Sequence, residues 1–261
     1  MLILLPPSEG KTAPADDDGT RLHLPSLTFP ELTSARTRVL TALRRASARG
    51  DAVEVLGVGA SLAGEVARNT RLAEEPVAPA ARVYTGVLYA AAGLADLDDA
   101  ARERAARSVL TVSGLWGALS PAAAIPAYRL SMGTDLPGVG PLPAFWRGEL
   151  AGALDPRASG DVVVDARSST YRAAYRPPSD ADWVEVRVVR ETAGRRTVVS
   201  HNAKHTRGVL TRHLLTRPAP EPADAAGVLA AAGELVGTEL RDAELSAPTR
   251  ARIPATLTLV V

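Results

Sequence analysis

Met1-Leu-Ile-Leu-Leu5, followed at once by Pro6-Pro7-Ser8-Glu9-Gly10-Lys11-Thr12, opens the chain. Five apolar residues in a row, without polar alternation, predict a strand buried on both faces. Pro6-Pro7 ends it, because proline cannot donate to a ladder. The strand therefore hands the chain to a polar Pro/Gly loop carrying Ser8, Glu9 and Lys11, a rigid, exposed kind of position on which sites are built.

Outward from this strand, helices and strands interleave. Residues 30–49 place Leu32, Ala35, Val39, Leu43 and Ala46 near helical spacing, and Gly50 reads as the stop. Further helices are predicted over 62–72, 97–107, 143–154, 203–215 and 223–236. Strands are predicted over 83–89, 108–112, 161–165, 183–190, 196–200 and 255–261. The turn Thr192-Ala193-Gly194 joins two of them as a hairpin. Asp16-Asp17-Asp18-Gly19 and Arg217-Pro-Ala-Pro-Glu-Pro222 read as loops. There is no internal repeat and no long linker. The order is not a regular βαβ alternation, so the expected class is α+β (mixed α/β), one compact domain over 1–261 with a central mixed sheet.

Composition narrows the chemistry. Of 261 residues, 46% are hydrophobic, so a large core is available; only 4% are aromatic, so it must be built from Ala, Val and Leu. No cysteine is present, which excludes disulfides, thiolate metal sites and a cysteine nucleophile. The opening apolar run is too short for a signal peptide or a membrane span, and no later run approaches about eighteen residues. A soluble, cytoplasmic protein without membrane contact is expected. Net charge is +1, so nucleic acid can be held only by a local patch. Of thirty basic residues, two are lysine, Lys11 and Lys204, and the rest arginine. Lysine is not replaceable where a compact or deprotonatable amine is needed. The two survivors mark candidate functional positions, with chance survival as the alternative.

Val55-Leu56-Gly57-Val58-Gly59-Ala60-Ser61-Leu62-Ala63 resembles the DNA-binding helix-hairpin-helix, placed within about 36–72. Two glycines allow a sharp turn close to a phosphate, and their N–H groups and the next helix N-terminus face that anion. Val58 plugs the helix pair. Ser61, Arg68 and Arg71 extend the contact. An ordinary turn between helices fits the same letters. Leu136-Pro-Gly138-Val139-Gly140 matches equally by letter, but no helical segment precedes it.

Several blocks recur in one order: the opening Pro6-to-Thr12 loop, Tyr84-Thr85-Gly86, Ser113-Gly114-Leu115-Trp116-Gly117, Tyr128-Arg129-Leu130-Ser131-Met132-Gly133, Phe145-Trp146, and Ala203-Lys204-His205-Thr206-Arg207-Gly208. Together they resemble the YaaA peroxide-stress family from residue 1 to about 212. The resemblance implies a compact mixed fold with a helix-hairpin-helix at 57–59 and a positively charged cleft. It implies binding of duplex or branched DNA through phosphate contacts, and a role in the response to hydrogen peroxide that limits oxidative damage and free iron. The chain departs from the family in carrying arginine where members often carry lysine, and Glu9-Gly10 lengthens the first loop.

Ser8, Lys11, Tyr84, Thr85, Gly86, Ser113, Gly114, Tyr128, Arg129, Lys204 and Arg207 are the expected cleft residues. The cations would hold phosphate and the tyrosines would stack on a base, or else pack in the core. Gly86 and Gly114 serve either a close ligand or tight packing. The alternative is a lysine-dependent enzyme: a glycosylase-lyase acting on a nucleobase or abasic site, or an enzyme acting on a nucleotide-like small molecule. Lys11 or Lys204 would be the nucleophile and Glu9 or Asp165 the acid/base partner. His201, His205 and His213 do not make a convincing metal set, so neither metal nor cofactor is expected. Ser8 and Ser113 lack an evident His partner, which argues against a serine hydrolase.

Overall fold

The computed structural model describes residues 1–14, 18–192, 194–198, 201–218, 220–248, 250 and 253–261. Asp16, Asp17, Ala193, Ser200 and the side chain of His201, all named above, lie outside what it describes. Eight strands form the main sheet: β1 (Leu2–Leu5), β2 (Val109–Ser113), β3 (Gly117–Leu119), β4 (Val162–Asp165), β5 (Asp182–Thr192), β6 (Arg195–Val198), β7 (Asp242–Ser246) and β8 (Ala255–Val260). Their order is β7-β8-β5-β4-β1-β2-β3, with β6 folded back on β5. The five inner strands run parallel; β3, β6 and β7 pair antiparallel. The fold is α+β with a central mixed sheet.

Burial explains the sequence patterns. Every residue of β1, β2 and β4 is buried, as strands covered on both faces must be. β8 alternates buried and half-buried residues over most of its length, so the sheet is open on one face toward that edge. Helix α1 (Thr33–Ser47) turns Ala35, Arg36, Val39, Leu43 and Ala46 inward on one stripe. It is followed by α2 (Ala52–Val55), α3 (Ala63–Arg68), α4 (Ala80–Val83), α5 (Val87–Ala92), α6 (Asp99–Ser108), α7 (Leu142–Ala158), α8 (Ser169–Arg172), α9 (His201–Thr216) and α10 (Ala225–Gly233). No helix among the described residues is long and apolar enough to cross a membrane.

Two expectations need correction. Residues 83–89 are not a strand: α4 ends at Val83, α5 begins at Val87, and between them Tyr84 makes only an isolated bridge to Lys11. A short apolar run reads alike in either state, and Gly86 here caps a helix. Gly50 does not cap α1, which ends with Ala48 in right-handed conformation, its N–H on Arg44 O. The second glycine match is no helix pair, as the lack of a preceding helical segment indicates: Gly138 and Gly140, both at positive φ, belong to a small β-hairpin between Asp135–Leu136 and Gly140–Pro141.

Gly208 accounts for part of the Lys204-to-Gly208 block. A Cβ there would collide with Leu88 O and Ala91 Cβ, so glycine lets α9 pack directly on α5. That contact brings Lys204 and the start of α5 beside the first loop.

Candidate functional site

The loop after β1 is stitched to residues 83–86. Thr12 N–H donates to Val83 O at 3.0 Å, and the Thr12 and Thr85 hydroxyls meet at 3.0 Å. Gly86 N–H donates to Ser8 Oγ at 2.7 Å. A Cβ on Gly86 would overlap that oxygen. Gly114 is likewise packed against the Ser131–Met132 backbone. Both glycines therefore serve packing, one of the two readings left open by the sequence.

Stitching the loop fixes Lys11. Its Nζ donates to Ser8 O at 2.8 Å and, longer, to Glu9 O at 3.4 Å. It lies 4.3 Å from the Tyr128 ring centroid and 5.8 Å from that of Tyr84. Burial, and secondarily the nearby Arg129, lower the amine to about 7; Glu9 and Glu65 oppose the shift. An amine held there is partly unprotonated near neutral pH and can act as base or nucleophile.

Arg129 is the second cation, and it is not free. Its Nε and Nη2 donate to Glu65 Oε2 at 3.0 and 2.5 Å, and its Nη1 stands 3.5 Å from Glu9 Oε2. Asn69 holds its backbone from both sides, accepting from Arg129 N–H at 2.9 Å and donating to Arg129 O at 2.8 Å. The centre thus balances Lys11 and Arg129 against Glu9 and Glu65; it is not the net-cationic cleft expected. Tyr171 adjoins it, its phenol raised by burial and by Glu9.

Tyr84 and Tyr128 are fully buried and unavailable for stacking on a base. Ser113 Oγ accepts the N–H groups of Leu115 and Trp116 at 3.2 Å, so its own proton goes to Tyr128 OH at 2.7 Å, and Tyr128 meets Tyr84 OH at 2.9 Å. These hydroxyls are satisfied core groups, and burial raises both phenols.

The remaining candidates divide. Lys204 is exposed and lines a pocket of about 200 Å³ together with Pro6, Ser8, Glu9, Gly10 and Gly86. Both lysines therefore meet the same loop. Arg207 does not join them: its guanidinium donates to Val186 O at 2.8 and 3.2 Å. Asp165 is excluded as an acid/base partner, because Arg167 and Trp183 Nε1 saturate a fully buried carboxylate. Among the described residues no three His, Asp or Glu side chains are arranged to hold a metal ion; His213 pairs with Glu234 at 2.8 Å.

At the glycine turn, Gly57 has φ +63°. Its N–H donates to Glu54 O at 2.9 Å and that of Val58 to Val53 O at 3.0 Å. That pair of bonds is the Schellman cap of α2, so these two N–H groups are already used. Val58 packs on the core. Gly59, Ala60 and Ser61 are exposed and begin a 3-10 turn leading into α3. Arg68 and Arg71 both pair with Glu75, at 3.7 and 2.5 Å.

Glu65, Asn69 and Tyr171 went unrecognised in the sequence. Glu65 and Asn69 sit in the segment read as phosphate-binding, where a carboxylate looks out of place; that misfit was the available signal.

Comparison with known proteins agrees with the order of these blocks. The family model of peroxide stress protein YaaA matches residues 1–232. A UPF0246 protein of Streptomyces coelicolor is 46% identical, covering 100% of this chain and 98% of its own length. Others from Corynebacterium efficiens (42%, covering 84% and 86%) and Corynebacterium glutamicum (39%, covering 90% and 94%) are also similar. The chain belongs to the peroxide stress protein YaaA family.

Proposed function

We propose that the protein binds DNA in the response to hydrogen peroxide, gripping a phosphate with the backbone at 59–61 as the second half of a helix-hairpin-helix. One observation carries this reading. Gly59 sits at φ −71° and ψ 152°, which any residue adopts, and a Cβ there would meet only Ser61 Oγ at 3.8 Å. Neither conformation nor packing asks for glycine, whereas a close-approaching ligand does. The first N–H groups of the following turn have no intrahelical partner, and Gly59, Ala60 and Ser61 are exposed to solvent.

Charge plays a smaller part than a basic cleft would give it. Residues 44–75 carry five arginines and five carboxylates. Arg68 and Arg71 must leave Glu75 to reach phosphate, at a cost of about 0–1 kcal/mol per exposed pair. The affinity then depends only modestly on salt. Fluorescence anisotropy on a labelled duplex tests the reading: Gly59→Asn weakens binding through its Cβ, and Gly59→Asp weakens it further through its charge. Equal affinity of the two variants would remove it.

The second reading, lysine-dependent chemistry, is favoured by the Lys11 amine between Glu9 and Glu65. Such an amine attacks the C1′ aldehyde of an abasic site and expels water to form an imine, which borohydride reduces to a stable cross-link. Trapping that survives Lys204→Arg and vanishes with Lys11→Arg supports it. No trapping on abasic, branched or undamaged duplex excludes it.

A further inference from the structure

We propose that Arg129 and Lys11 form a binding site for a small oxyanion, the carboxylate or phosphoryl group of a metabolite-sized ligand, and that the Glu9 carboxylate is the internal group this ligand displaces. The proposal concerns a site separate from the glycine turn and goes beyond the DNA contact.

The two carboxylates on Arg129 are not equivalent. Glu65 takes Nε and Nη2 through a single oxygen at 3.0 and 2.5 Å. Glu9 reaches only Nη1, at 3.5 Å, and its side chain is 54% exposed against 7% for Arg129. A buried guanidinium thus presents one edge to a loosely held, solvent-facing carboxylate. Lys11 commits two of its three donors to the Ser8 and Glu9 carbonyls, which leaves one. A ligand oxyanion at the Nη1 edge would regain the short, charge-assisted geometry that Glu9 lacks.

Charge balance dictates exchange rather than addition. Arg129 and a partly protonated Lys11 already face two carboxylates, so a further anion would be repelled unless Glu9 withdrew. Withdrawal is open to it. Glu9 precedes Gly10, around which a Cβ would meet nothing within 4 Å. It also lines the pocket that carries Lys204, and Lys204 makes no ion pair among the described residues. Lys204 is the counter-ion waiting for the displaced carboxylate. The depressed Lys11 amine fits this arrangement, since an incoming anion would draw a proton onto it.

The test is thermal unfolding of the full chain against inorganic phosphate and against malonate, with ionic strength held constant by chloride. Glu9→Gln, on an exposed loop, should respond at about five-fold lower ligand than wild type, the worth of one exposed ion pair. Lys11→Met added to Glu9→Gln should abolish the response. Lys204→Met should weaken wild-type binding and leave Glu9→Gln unaffected. A response to phosphate alone, to malonate alone or to both supports the site and identifies its oxyanion. Identical curves for wild type and Glu9→Gln, or a response that persists without Lys11, would overturn it.

Discussion

Lys11→Met should flatten the dependence of stability on pH between about 7 and 9.5. The folded protein holds the Lys11 amine at about 7, against 10.5 for an ordinary lysine. Below about 7 both states carry the proton, and the full cost of burying the ammonium is present. Between the two values only the unfolded chain binds it, so unfolding takes up a proton and stability rises with pH. Full linkage is about 1.4 kcal/mol per pH unit. Lys11 is only half-buried, and solvent screening narrows this window without lowering the slope inside it. Buried Tyr84, Tyr89 and Tyr128 act oppositely, since an unfolded phenol ionises near its ordinary 10.0 and a buried one does not. The comparison therefore stays below that pH. Urea unfolding of wild type and Lys11→Met at several pH values gives the two slopes. Methionine keeps the stem and leaves two carbonyls unbonded, which shifts the whole curve without tilting it. Equal slopes would refute the assignment of the depressed amine to Lys11.

Other expectations follow from single contacts. Arg36 is fully buried and donates to the carbonyls of Trp116, Phe29, Thr28 and Ala118 at 2.5–3.0 Å. Arg36→Met should cost about 3–5 kcal/mol in urea unfolding, and Arg36→Lys should recover only part of it, because an ammonium has three donors for four carbonyls. Gly86→Ala should cost about 1–3 kcal/mol by forcing Ser8 aside. Ser8→Ala in the same chain should relieve the clash, so the double-mutant cycle is non-additive; strict additivity would contradict the contact. Gly208→Ala should loosen α9 from α5, which the amide exchange of both helices would register.

Much of the frame could be read from the sequence because its signals were unmixed. The unbroken apolar run of β1 permitted one reading, and the spacing of Leu32, Ala35, Val39 and Leu43 fixed α1. Val83 to Tyr89 misled because a short, half-apolar run serves strand and helix equally. The two lysines were informative: both meet the loop at 6–10. Their partners were not, because Glu65, Asn69 and Tyr171 reach Lys11 and Arg129 only through tertiary contact. Arg207 looked like a free cation one helical turn from Lys204, yet its guanidinium turns onto a strand carbonyl. Local sequence reveals where a cation stands, not what has already neutralised it.

The most direct test of DNA binding is the affinity of wild type, Gly59→Asp and Gly59→Asn for one duplex, measured across a range of salt. One or two phosphates held mainly by backbone predict a log–log salt slope of about −1 to −2. Gly59→Asp should bind at least about ten-fold more weakly than wild type, with Gly59→Asn between the two. Undiminished binding by Gly59→Asp, or an affinity indifferent to salt, would contradict a phosphate at this turn.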